Sequence, residues 1–188
     1  YLVHANKGTI RSTISRNQSF ILNTEKVPEK VLNTVAVITP LSAAENSRRA
    51  WVSIQGGFGT GKFKNSTESL NIVVTAASIN VTVRAFYASG AAPTAQQRTT
   101  KLLNALLANS TITANFSITV LGTTIALLYN TPNQTVTINH SWSPAPPSAT
   151  AISSSQNFTR AQAPNDLPIT YNGYNFTHNG VQYTYDAS

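Results

Sequence analysis

The chain has 188 residues, of which 41% are hydrophobic, enough for one β-type domain with a core and too much for a wholly disordered polypeptide. Only 10% of residues are charged, against about 25% in an average globular domain, and 19 Ser, 25 Thr and 19 Asn cover the surface instead. With no Cys, disulfide frameworks, thiolate zinc sites and cysteine nucleophiles are excluded together.

The net charge of +7 reflects six acids as much as thirteen bases. Twelve of the bases lie at or before Lys101, scattered as pairs at most, such as Arg48-Arg49. Phosphate binding needs cations clustered on one face, often with aromatic platforms between them, so a nucleic-acid partner is not expected. A low acid count has another physical use. A surface of amides and hydroxyls hardly changes when carboxylates protonate, which suits an acid-exposed exterior.

In chain order, the first segment, Tyr1–Leu22, places Ile10, Ile14, Phe20 and Leu22 at even positions and Thr9, Arg11, Thr13, Ser15 and Asn17 at odd ones. That is a strand-like alternation, interrupted at Arg16 and Gln18. Less regular strand candidates follow at Val31–Thr39, Ala50–Ile54 and Leu70–Thr75. Between the last two lies Gly56–Lys62 (GGFGTGK), which fits the phosphate-cradling spacing G-x-x-x-x-G-K. Phe63 stands where the magnesium-binding hydroxyl belongs, and the residues after it are strand-like, so no helix N-terminus can meet a phosphate. A glycine-rich hairpin loop is the better reading.

Ile79, Val81, Val83, Ala85 and Tyr87 alternate with Asn80, Thr82 and Arg84, the period of a half-buried strand. Ala95–Ala108 has helical spacing through Leu102, Leu103, Leu106 and Leu107 after a Pro93-Thr94 start. Strands are then predicted over Thr111–Val120, Thr123–Tyr129 and Thr135–Trp142, with His140 on an apolar face as a hydrogen-bonded core residue. The Pro- and Ser-rich stretch Ser143–Ser155 reads as a long connection, and Val181–Tyr185 as a last strand. Eight or more short strands separated by turn signals predict an all-β, antiparallel sandwich or barrel with at most one short helix.

No catalytic constellation emerges. The carboxylates Glu25, Glu29, Glu45, Glu68, Asp166 and Asp186 are isolated in sequence, and His4, His140 and His178 have no metal-ligand spacing. Neither an enzyme, a metal site nor a cofactor is expected. No apolar run reaches the length of a membrane span.

The informative motif is N-x-[ST], the N-glycosylation acceptor. It occurs at Asn17, Asn65, Asn80, Asn109, Asn115, Asn133, Asn139, Asn157 and Asn175, nine of 19 asparagines. With 44 Ser and Thr in the chain, chance supplies about four or five such sequons. In a strand, Asn and the hydroxyl residue two positions on share a face while the middle residue points the other way. At Asn80, Asn115 and Asn139 this puts the sequon on the polar face, and Asn157 and Asn175 have the same form. Covalent N-linked glycans are therefore expected, and with them a secretory route. The absence of Met, position 1 included, suggests a processed product whose signal peptide has been removed.

A Cys-free β chain of this length, rich in Ser, Thr, Asn and Tyr and carrying nine sequons, resembles the archaeal thread pilins, subunits of heavily glycosylated surface filaments of thermoacidophilic archaea. The resemblance lies in composition, size and sequon density. It implies an immunoglobulin-like pilin sandwich over 23–188 that lacks a strand, completed by the N-terminal extension, 1–22, of the next copy. Ile10, Ile14, Phe20 and Leu22 would then be the donor-strand residues, joining copies head to tail in an extracellular filament that serves adhesion. The alternatives are a monomeric or lattice-forming surface glycoprotein, such as an S-layer or adhesin domain, and a secreted carbohydrate-active protein using Trp51, Trp142 and the late tyrosines.

Overall fold

The computed structural model describes residues 10–15, 18–23, 38–54, 64–146, 152–154, 167–178 and 181–186. The chain forms two compact units, Tyr1–Val37 and Ile38–Ser188. In the first, β1 (Ile10–Ser15) and β2 (Gln18–Asn23) pair antiparallel, with Ser15 opposite Gln18 and Ile10 opposite Asn23. The expected single extended strand is thus a hairpin in this chain. Its register sets Ile14 opposite Ser19, Phe20 opposite Thr13 and Leu22 opposite Arg11.

The second unit is all-β and antiparallel, with few helices. One sheet has the order β6 (Phe116–Leu121), β7 (Thr124–Tyr129), β3 (Arg49–Ile54), β9 (Ile152–Ser154). The other has β5 (Ile79–Tyr87), β4 (Ser66–Val74), β8 (Val136–Ser143). Burial along β4 alternates strictly, so Leu70, Ile72 and Val74 point inward while Ser69, Asn71 and Val73 point out. Those inward residues meet Val52, Ile54, Ile125 and Leu127 of the other sheet in one apolar core. The core is closed by α2 (Ala95–Leu107), whose Leu102 and Leu106 are fully buried, each stabilising by about 1.5–3 kcal/mol. Helix α2 starts at a capping box. Thr94 Oγ1 accepts from the Gln97 amide at 3.2 Å, and Gln97 Oε1 from the Thr94 amide at 2.8 Å.

All six residues of β3 are buried, because its second face is covered as well. Trp51 and Ala126 pack there with Leu167, Tyr171 and Tyr174 of the C-terminal segment. This explains why the pattern over Ala50–Ile54, apolar except at Ser53, reads as a nearly continuous apolar run rather than an alternation. Beyond that segment, β10 (Asn175–His178) and β11 (Val181–Thr184) form a hairpin.

Three expectations are corrected. Besides α2 there are α1 (Ala43–Ser47) and α3 (Ser110–Asn115), so the chain exceeds the one short helix expected. Residues 111–115 were expected in a strand but lie in α3. Asn109 caps that helix, its Oδ1 accepting from the Ile112 amide at 3.1 Å, and Ile112 and Phe116 are both buried at a spacing of four. That spacing satisfies a helical turn as well as it does a period of two. The Ser143–Ser155 connection also contains a strand, since β9 adds to the edge of β3 with Ser153 opposite Ser53. No helix among the described residues is long and apolar enough to cross a membrane.

Candidate functional site

The outward face of the three-stranded sheet gathers two sequons. Asn71, at the centre of β4, stands opposite Thr82 of β5 and Asn139 of β8. Asn80 is one step along β5, opposite Val73. Asn80 and Thr82 are exposed with Val81 turned toward the core, and Asn139 and Ser141 are exposed around an inward His140. Both sequons have the outward parity expected of them. Asn71 ties one in place, its Nδ2 donating to Asn80 Oδ1 at 2.7 Å and to Thr82 Oγ1 at 3.0 Å.

The other described sequons differ. Asn65 is exposed ahead of β4, and its Oδ1 accepts from the Ser89 amide at 2.7 Å. Asn133 is exposed with a φ of 60°. Asn109 and Asn115 cap and end α3. Asn115 is half-buried and donates through Nδ2 to Thr111 O at 2.9 Å, so its sequon is not on a strand face. Asn175 is clasped. Its Oδ1 accepts from Thr184 Oγ1 at 2.8 Å, its Nδ2 donates to Leu41 O at 3.3 Å, and its amide donates to Asn46 Oδ1 at 2.6 Å. Asn17, Asn157 and the Gly56–Lys62 loop lie outside the described residues.

Beneath that face sits a buried ionic cluster. Glu68 of β4 and Arg98 of α2 have fully buried side chains, with Arg98 Nη2 2.5 Å from Glu68 Oε1. His140 Nε2 lies 3.0 Å from the same oxygen, and Tyr87 donates its hydroxyl proton to Oε2 at 2.8 Å. The Arg98 guanidinium is 5.3 Å from the centre of the Trp142 ring. Burial pushes the Glu68 pKa up, but hydrogen bonds with His140 and Arg98, the Arg98 charge and the Tyr87 hydrogen bond outweigh it, leaving the carboxyl below its ordinary range. Burial and the Glu68 charge push the Tyr87 phenol up, so it remains a proton donor. Both Glu68 oxygens are engaged within the fold, an arrangement suited to anchoring α2 rather than to acid–base work on a substrate.

Sequence reasoning left Glu68 isolated and did not single out Arg98. The signal was present in the two periods. Glu68 shares inward parity with Leu70 and Ile72, and Arg98 shares an i, i+4 stripe with Leu102 and Leu106. The expected hydrogen-bonded setting of His140 matches its contact with Glu68.

A cleft of about 420 Å³ opens between the end of β5 and the start of α2, bordered by Tyr87, Pro93, Gln96, Thr100 and Lys101. Lys101 Nζ donates to Phe86 O at 2.8 Å there. Trp51, Tyr171 and Tyr174, considered as sugar-stacking rings, are core residues with at most 5% of their surface exposed. Among the described residues, no group of three or more acids and histidines is arranged to hold a metal ion. No protein-family model, curated protein or solved structure matches the chain.

Proposed function

We propose that this chain is a structural, non-enzymatic subunit of an extracellular glycosylated filament. The observation that carries the reading is the outward face of β5-β4-β8, where the Asn80 and Asn139 sequons stand exposed on either side of β4, on a face surfaced mostly with Ser, Thr and Asn. Glycans there supply the solubility that few charges provide. Copies join head to tail as the N-terminal segment of one enters an immunoglobulin-like sandwich of the next, the arrangement implied by the resemblance to thread pilins. Among the described residues, the nine-residue β5 lies at the edge of its sheet, and edge strands are templates for an added strand. Donation of the segment as one strand requires the β1–β2 hairpin to open, because Ile10–Ser15 and Gln18–Asn23 run antiparallel to each other in it.

Native material examined by electron microscopy and intact mass tests both halves of the reading. Filaments whose subunit mass exceeds the 20.1 kDa polypeptide by several kilodaltons support it. A monomer of bare polypeptide mass overturns it. A glycosylated monomer favours the second reading, a free-standing surface glycoprotein, to which the closed β1–β2 hairpin lends support.

A further inference from the structure

The two sequons on the three-stranded sheet are not independent positions. They flank one strand, β4, and the same face carries Phe86, a large hydrophobic side chain that is 56% exposed. Phe86 stands opposite Thr67, and Thr67 opposite Ser143. From the Asn80 row to the Phe86 row the outward residues of β4 are Val73, Asn71, Ser69 and Thr67, all short. On β8 as far as Ser143 the outward residues are likewise short, because His140 and Trp142 point inward, toward Glu68 and Arg98. Along β4 and β8 the surface is therefore low and polar, while on β5 the exposed Arg84, opposite Ser69, stands between Thr82 and Phe86; Val73 and Phe86 are the apolar residues of the face.

Neighbouring strands lie about 4.8 Å apart and advance about 3.4 Å per residue. Asn80 and Asn139 are separated by two strands and two residues of offset, so their Cα atoms are about 12 Å apart. Asn71 holds the Oδ1 end of Asn80 toward β4, which directs Nδ2, the atom that carries a glycan, away from Asn71. In the modification itself, Nδ2 bonds to the anomeric carbon of a phosphate-activated sugar. The carbon–oxygen bond to phosphate breaks with its electron pair leaving on phosphate, and one Nδ2 proton is lost to base.

We infer that the glycans on Asn80 and Asn139 lie on this face as one shared cover, with Phe86 as the ring against which sugar C–H groups stack. This rests on the proposal that these sequons are occupied. It goes further in assigning the sugars a binding surface on their own chain and in coupling the two sites. The apolar face of a pyranose and an exposed phenyl ring are complementary, and covering Phe86 removes an apolar surface from water. Asn71, between the two sugar roots, acts as a positioning residue.

Hydroxyl-radical footprinting of the glycosylated protein tests the cover, compared with the same chain made in a host that adds no N-glycans. Leu107, 53% exposed on α2 and away from this face, serves as the internal reference. The expected result is several-fold protection of Phe86 by glycosylation with Leu107 unchanged. Glycosylated Asn80→Gln and Asn139→Gln variants should each restore much of the Phe86 reactivity. In thermal melts, the shifts of the two single variants should sum to more than that of the double variant, and this difference should vanish in the unglycosylated chain. Occupied sites with Phe86 unprotected, or with additive shifts in both forms, overturn the shared cover and leave the glycoprotein reading intact. Sugar at other sequons but not at Asn80 and Asn139 overturns this inference alone. No sugar anywhere overturns both.

Discussion

Arg98 and Glu68 are 30 residues apart in sequence and meet at 2.5 Å with neither side chain exposed. The pair fastens α2 to the middle strand of the three-stranded sheet, and Tyr87 and His140 supply further hydrogen-bonding contacts to the carboxylate. A buried ion pair is weak evidence of net stabilisation, but removing one partner leaves a desolvated charge with no counter-ion.

Arg98→Met should therefore destabilise the protein by about 3–5 kcal/mol, read as a lower urea midpoint with the slope unchanged. The double variant Glu68→Leu/Arg98→Met should lose less than either single one. If Arg98→Met costs under about 1 kcal/mol, the range of an exposed pair, the cluster does not hold α2.

The same carboxylate sets a pH limit. Its folded pKa lies below the unfolded value, which is about 4.3 for Glu. A depressed acid contributes stability that is fully present above the unfolded pKa and is lost as pH falls through the folded one. Stability should thus be flat with respect to Glu68 from neutral pH down to about 5 and decline below about 4. Urea midpoints measured across that range should fall less steeply in Glu68→Gln, whose amide does not titrate. Equal slopes in the two proteins would assign the acid limit to other carboxylates.

The C-terminal segment offers two local tests. The Tyr171 hydroxyl reaches the carbonyls of Ala50 at 2.9 Å and Leu127 at 2.7 Å, residues that face each other across β3 and β7. Tyr171→Phe should cost about 1–3 kcal/mol, the range for stranding a buried polar group. Gly173 has a φ of 82°, and a Cβ there would lie 2.4 Å from Thr39 O. Gly173→Ala should destabilise by roughly 1–3 kcal/mol from backbone strain alone, with the clash added. A full-strength Gly173→Ala variant in thermal melts would show that the turn readjusts at little cost.

Much of the β framework was legible because its strands alternate cleanly. The runs at Ile79–Tyr87 and Val136–Trp142 carry one buried and one solvated face, and β5 and β8 lie there. Legibility failed where a residue has two masters. The alternation through Ile112 and Phe116 is also a helical repeat, and the Asn109 cap decided between them. β9 escaped notice because three residues in a Pro- and Ser-rich stretch carry no period. At the candidate site, outward parity located Asn80 and Asn139, but parity says nothing of which strands adjoin. The grouping of both around Asn71 needed the β5-β4-β8 order, and the Glu68–Arg98 pair needed the docking of α2, neither of which is a local property.

Sequons that look alike in sequence should differ in occupancy. Asn80 is held by its Oδ1 end, on an exposed surface. Asn175 is half-buried and engaged at both ends of its amide, with Leu41 O on the Nδ2 side and Thr184 Oγ1 on the Oδ1 side. A sugar on Asn175 Nδ2 replaces one of its two protons and needs room close to the Leu41 carbonyl. The reciprocal pair between Asn46 and the Asn175 backbone, at 2.6 and 2.7 Å, fixes the strand beside it. Glycopeptide mapping of the secreted protein should find Asn80 and Asn139 occupied and Asn175 bare. In unglycosylated material, Asn175→Ala should cost about 0.5–1.5 kcal/mol through its lost side-chain hydrogen bonds to Thr184 and Leu41, while Asn139→Ala, exposed on β8, should stay within about 0.5 kcal/mol. A fully occupied Asn175 in a protein of undiminished thermal stability would mean that this clasp is dispensable and that modification precedes its closure.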